Sequence, residues 1–257
     1  MKFYILLLSI IISVIPIILI GYLFYKRDTI KEPKRLLNNL FISGIFSGII
    51  VVFISIFGLI LFPIFGDVTK INNYLILFLY SYIFIALIEE SSKLLMIYKV
   101  SYNSKEFDQT YDIILYSVFV GLGFACFENI IYVLGNPSIE TALLRSITAV
   151  PAHTCFQIIM GYFLYLSKYK EKRENILFGL IITVFLHGTY DFLIFIGIAP
   201  LVIIDILFLI ILMIYSNNKV KELIKVDKNN IQTSLCPRCG TKINYLYCPN
   251  CGYKKNN

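Results

Sequence analysis

Charge is what this chain has least of. Only 15% of its 257 residues are Asp, Glu, Lys or Arg, against 58% hydrophobic, and a soluble domain of that make-up would expose far more apolar surface than water tolerates. No small-x-small cleavage pattern ends the first apolar run, which is followed directly by Lys26 and Arg27. That run therefore reads as a retained anchor rather than a secretory signal. No internal repeat and no paired Gly/Pro-broken spans are found, which argues against the repeated halves of ion-coupled transporters. Histidine is rare as well: His153 and His187 are the only two.

What is abundant is apolar sequence long enough to cross about 30 Å of hydrocarbon. Seven such runs are predicted: roughly Phe3–Tyr25, Leu37–Phe62, Tyr74–Ile97, Tyr111–Leu134, Thr141–Leu166, Asn175–Ile196 and Pro200–Tyr215. The expected fold is thus an all-α polytopic bundle of seven transmembrane helices. The net charge of +7 suggests nucleic acid until its basic residues are placed on the spans. Nineteen of the 23 Lys and Arg then fall on one side, eight of them in the tail, while Lys2 and Lys70 fall on the other. The positive-inside rule places the N-terminus outside and the tail in the cytoplasm of a multi-pass cell-membrane protein. No nucleic-acid partner is expected. Lys93 and Arg145 lie within spans, and Arg145, near a helix end, is read as a snorkelling residue.

The tail ends in Cys236-Pro-Arg-Cys239-Gly and Cys248-Pro-Asn-Cys251-Gly. Each Cys-x-x-Cys turn aims two thiolates at one point, so the two together supply a closed, structural zinc site resembling a short zinc ribbon. A module this small has almost no core, and metal binding should supply most of its folding energy. Lys242, Lys254 and Lys255 are too sparse to make it a nucleic-acid reader. The division expected is a transmembrane domain over 1–216, a polar linker over 217–234 and a zinc ribbon over 235–257. Cys126 and Cys155, inside spans, read as small buried apolar residues.

An ionisable side chain near the middle of a span costs about 2.5–3.5 kcal/mol on insertion scales, yet four adjacent spans carry them. Span three has Glu89, Glu90 and Lys93, span four Glu128 and Asn129, span five His153 and Gln157, span six His187 and Asp191. Residues four apart share a helix face, which pairs Glu89 with Lys93, Glu128 with Tyr132, His153 with Gln157 and His187 with Asp191. Such stripes must face one another or a wet cavity, because acyl chains would leave them unpaired. At about 1.5 Å of rise per residue, Glu89, His153 and His187 lie at similar depth and Glu128 is shallower. One shared site, reached from the outer half of the membrane, is expected.

The ordered set Glu89-Glu90-Ser-Ser-Lys93, Phe127-Glu128-Asn-Ile-Ile-Tyr132, His153 and His187-Gly-Thr-Tyr-Asp191, over about residues 75–195, resembles the PrsW-type intramembrane proteases, relatives of the CAAX prenyl proteases. The resemblance implies hydrolysis of a peptide bond in a membrane-anchored protein such as an anti-sigma factor. It casts Glu89 or Glu90 as general base, with Lys93 holding the other carboxylate ionised and Glu128 and Asp191 as further members of the site. Two mechanisms stay open. In one, His153 and His187 with a carboxylate hold a second zinc; in the other, a Glu and His153 activate water directly while His187, oriented by Asp191, stabilises the oxyanion. The family is called metalloprotease, but no HExxH spacing fixes two ligands on one helix. A non-catalytic scaffold of the same superfamily and an ion-coupled transporter are the rival readings.

Overall fold

A computed structural model describes residues 2–65, 71–102, 104–229, 234–243, 248 and 250–253. Lys70, Lys254, Lys255 and the 230–233 end of the expected linker lie outside the described residues.

An apolar run in hydrocarbon has no water to satisfy its peptide groups, so it must close its hydrogen bonds within itself as helix. The seven runs do so. They form α1 (Lys2–Arg27), α2 (Lys34–Leu61), a third span made of α3 (Tyr74–Leu79), a π-helical segment (Tyr80–Leu87) and α4 (Ile88–Val100), then α5 (Asp112–Gly135), α6 (Ile139–Ile147) with α7 (Ala149–Tyr169), α8 (Glu174–Ile196) and α9 (Ala199–Asn229). All seven are long and apolar enough to cross a membrane. Phe53, Ile60 and Ile211 expose 69%, 69% and 66% of their surface on outward faces, an arrangement that only a lipid solvent favours.

α5 and the α6–α7 span occupy the centre: 56% and 72% of their apolar stretches are buried, against 17% for α1 and α2. α5 packs against α1, α2 and α7, and α7 packs in turn against α8 and α9. The α2–α5 approach is close because Gly44 and Gly123 lie at the contact, where an added Cβ would meet the Val120 or Phe41 carbonyl oxygen.

Three features depart from seven plain helices. The third span is π-helical over Tyr80–Leu87, where wider turns rotate everything that follows relative to an α-helix. The fifth breaks at Thr148, φ −117° and ψ −66°; Pro151 lacks an N–H and its ring would collide with the carbonyl four residues back, so α6 cannot run straight into α7. The last span is not the short one expected from its apolar run. The polar stretch assigned to a linker continues α9 as helix to Asn229, because Val220, Leu223 and Asp227 form a buried face. Asp227 accepts hydrogen bonds from Thr110 N (2.8 Å), Thr110 Oγ1 (2.8 Å) and Tyr111 N (2.9 Å), and so caps the start of α5.

Beyond α9, β1 (Ser234–Leu235) pairs antiparallel with β2 (Lys242–Ile243). Within each Cys-x-x-Cys turn the glycine N–H returns to the first cysteine's carbonyl, Gly240 to Cys236 and Gly252 to Cys248.

Candidate active site

The third span supplies a carboxylate pair that the packing drives inward: Glu90 is fully buried and Glu89 6% exposed. Lys93, one turn on and also fully buried, sends its ammonium to Glu90 Oε1 at 2.8 Å, Glu89 Oε2 at 3.2 Å and His153 Nδ1 at 3.2 Å. The fourth face of that ammonium lies 3.8 Å from the Phe124 ring centroid. A buried charge persists only when paired and hydrogen-bonded, and Lys93 meets both conditions.

His153, on α7, is held from both ends. An ammonium can only donate, so Nδ1 accepts from Lys93. Nε2 then carries the hydrogen and donates to Glu128 Oε2 at 2.8 Å. His187, on α8, places Nδ1 2.9 Å from Glu90 Oε1 and Nε2 3.4 Å from Asp191 Oδ2 and 3.9 Å from Glu89 Oε2. The two imidazoles stand perpendicular, their centroids 5.3 Å apart, and Phe156 stacks on His187 at 4.9 Å. Glu90 spends its second oxygen on Gln157 Nε2 at 2.7 Å. Gln157 reaches it because residue 121 is glycine, where an added Cβ would lie 2.4 Å from the Gln157 Cγ.

All seven predicted site residues on the spans are thus brought together: Glu89, Glu90, Lys93, Glu128, His153, His187 and Asp191. Glu90 and Lys93 form the closed floor, while the Asp191 and Glu128 side chains, 14% and 21% exposed, mark the open side.

Arg145 was outside that set, and the snorkelling expectation is corrected. The break at Thr148 turns α6 so that Arg145 Nη2 meets Glu128 Oε2 at 2.9 Å and Nε donates to Asn129 Oδ1 at 2.8 Å, with the guanidinium 3.8 Å from the Tyr132 ring centroid. A charged residue inside an apolar stretch was the available signal; its partner was invisible without the helix break. Asp205 is a further buried carboxylate, 4% exposed on α9, and lies within electrostatic reach of Asp191.

Among the described residues, two groups offer metal-type donors. One oxygen or nitrogen each from Glu89, Glu90, His153 and His187 lie within 4.8 Å of one another, all buried, and these are ligand types that zinc takes. The donor set fits a divalent cation, and Lys93 Nζ lies within 3.2 Å of an oxygen or nitrogen on three of its four residues. In the tail the Sγ atoms of Cys236, Cys239, Cys248 and Cys251 also lie within 4.8 Å. Their closest approaches are 3.6 Å for Cys236–Cys251 and 3.4 Å for Cys239–Cys248, far beyond a disulfide bond and near the edge of about 3.8 Å that four Zn–S bonds of about 2.3 Å impose on a tetrahedron.

Comparison with known proteins covers the part of the chain that holds this site. The profile of the PrsW family intramembrane metalloproteases matches residues 32–216. The protein named Protease PrsW from Clostridioides difficile (strain 630) is 30% identical over 227 residues, which cover 84% of this chain and 92% of that one. Its namesake from Oceanobacillus iheyensis is 36% identical over 179 residues, 68% and 77% of the two chains. The Protease PrsW of Bacillus subtilis (strain 168) is 29% identical over 180 residues, 69% and 78%. No solved structure matches.

Proposed function

This chain belongs to the PrsW family of intramembrane metalloproteases, and from that premise we propose that it cleaves a membrane-anchored protein at the Glu/His cluster of spans three to six. The observation that carries the reading is convergence: carboxylates from spans three and four and imidazoles from spans five and six meet in one buried cluster.

The chain's own groups divide the work. Glu90, with both oxygens engaged by Lys93, His187 and Gln157, is the anchored carboxylate. Glu89, held mainly through one oxygen, is the general base that takes a proton from the attacking water and returns it to the leaving amine. His187, oriented by Asp191, stabilises the tetrahedral oxyanion, and Lys93, its three donors directed at Glu89, Glu90 and His153, holds Glu90 ionised. Glu128 fixes the ring of His153. In the alternative mechanism a divalent cation held by Glu89, Glu90, His153 and His187 would replace these roles, polarising the scissile carbonyl and lowering the pKa of a bound water.

The tail is a structural zinc ribbon built on Cys236, Cys239, Cys248 and Cys251, following a membrane domain whose last helix runs to Asn229, and its thiolates leave no open position for catalysis. The charge asymmetry supports an outside N-terminus and a cytoplasmic ribbon.

The test is purified protein with a panel of single-span substrates, comparing wild type with Glu89→Gln, Glu90→Gln and His153→Ala. Cleavage lost in all three with unchanged thermal unfolding is the expected result. Full cleavage by the Glu89→Gln and Glu90→Gln proteins would remove the base and the reading with it.

A further inference from the structure

Lys93 stands where a cation would. Its ammonium lies within 3.2 Å of ligand atoms on Glu89, Glu90 and His153, three of the four residues whose donors cluster within 4.8 Å. Metal–ligand bonds to such atoms are about 2.0–2.2 Å long, so a metal bound to those same three atoms would occupy the space that the ammonium fills. The obstruction is chemical as well as spatial. While Lys93 donates to Nδ1 of His153, and Nε2 faces Glu128 at 2.8 Å, that imidazole offers no free lone pair to a metal.

We propose that Lys93 is a built-in competitor for the cation of this site: ammonium and divalent metal occupy the Glu89/Glu90/His153/His187 cage alternately, and metal enters only as the lysine withdraws. The inference rests on the reading of this cluster as the active site, but it concerns occupancy and not turnover. The lysine stem is long and flexible, and the Phe124 ring, 3.8 Å from the ammonium, offers the cation an aromatic face beside the cage. The lysine thus supplies the counter-charge that two buried carboxylates require when no metal is present, at the expense of metal affinity.

The experiment uses the full chain with its ribbon loaded with zinc, and Mn²⁺ as the probe, because manganese prefers carboxylate oxygen donors and competes poorly for four thiolates. Binding is read by electron paramagnetic resonance, independently of proteolysis. Lys93→Met and the shorter Lys93→Ala should bind one additional Mn²⁺ at least about tenfold more tightly than wild type, whereas Lys93→Arg, which keeps the charge, should not. Adding Glu90→Gln to either uncharged variant should abolish the gain, locating it in the cage. Equal or weaker binding by both uncharged variants overturns the proposal, as does a gain shared by Lys93→Arg or one that survives Glu90→Gln. Loss of cleavage in the Glu89 and Glu90 variants tests the active site separately, so either idea can fail alone.

Discussion

Arg145 touches the site at one remove, through the Glu128 oxygen that also receives His153. Removing the guanidinium leaves that carboxylate free to turn and the His153 ring without a fixed partner. Arg145→Gln should lower kcat about 10- to 100-fold, the usual effect of losing a group that orients a metal- or proton-handling residue, with KM little changed. Arg145→Lys should recover part of it, since a point charge restores attraction to Glu128 but not the simultaneous contact with Asn129; steady-state kinetics on one cleavable substrate decides. Gly121 acts by absence. A methyl group there would lie 2.4 Å from the Gln157 Cγ, so Gly121→Ala should push Gln157 off Glu90 and destabilise the bundle by about 1–3 kcal/mol, the range for overpacking. Thermal unfolding in detergent measures it. That the Glu and His residues of spans three to six belong together was legible in sequence, because ionisable groups within apolar helices are too costly to be idle. That Lys93 sits among the ligand atoms was not, since helical spacing fixes a face and not the rotamer that fills the gap beyond it.

The seven helices were legible for a simple reason: hydropathy reports transfer into hydrocarbon, and only helix satisfies the backbone there. The same measure is blind to how a helix is wound or where its polar end stops. Nothing in Tyr80–Leu87 distinguishes π from α winding in advance, yet the wider turns set the rotation of Glu89 and Glu90. The continuation of α9 past Tyr215 could have been found, because Val220, Leu223 and Asp227 recur at helical spacing within a stretch whose composition otherwise suggests a linker. Asp227 gives that continuation an energetic role at the first turn of α5, where unpaired N–H groups need acceptors. Asp227→Ala should cost about 0.5–2 kcal/mol, as loss of a capping side chain does. Hydrogen exchange should quicken at Thr110 and Tyr111 while the middle of α7 stays protected; uniform loss of protection would instead mean that α9 holds the whole bundle together.

At the scale of the molecule, the end of the bundle that carries the ribbon also gathers acidic groups from segments distant in sequence: Asp28 and Glu32 between α1 and α2, Asp108 before α5, and Asp227 near the end of α9. Asp28 accepts from the Glu32 N–H (2.9 Å) and from Gln109 Nε2 (3.3 Å), so the two inter-helix segments are tied together. Burial, with the neighbouring carboxylates of Asp28, Asp108 and Glu106 adding to it, pushes Glu32 up to about 8. Burial and then the Asp28 and Glu106 carboxylates push Asp108 up to about 6, and Asp28 is raised by burial too. A carboxyl whose pKa is higher folded than unfolded binds more protons in the folded state, so its stabilisation is complete below the unfolded value and is lost as pH rises through the folded one. Asp108 should therefore cost increasing stability as pH rises from its ordinary value of 3.8 to about 6, and Glu32 as pH rises from 4.5 to about 8, with no further loss above those folded values. The unfolding temperature in detergent should fall between about pH 4 and about pH 8, the reverse of what carboxylates stabilised by cationic partners produce. Glu32→Gln, neutral throughout, should flatten the upper part of that curve and unfold at a higher temperature than wild type at the alkaline end. A wild-type curve that rises with pH, or a Glu32→Gln curve parallel to it, would show that these acids are ionised and paired in the folded protein, and that the ribbon end of the bundle is held by ion pairs instead of shared protons.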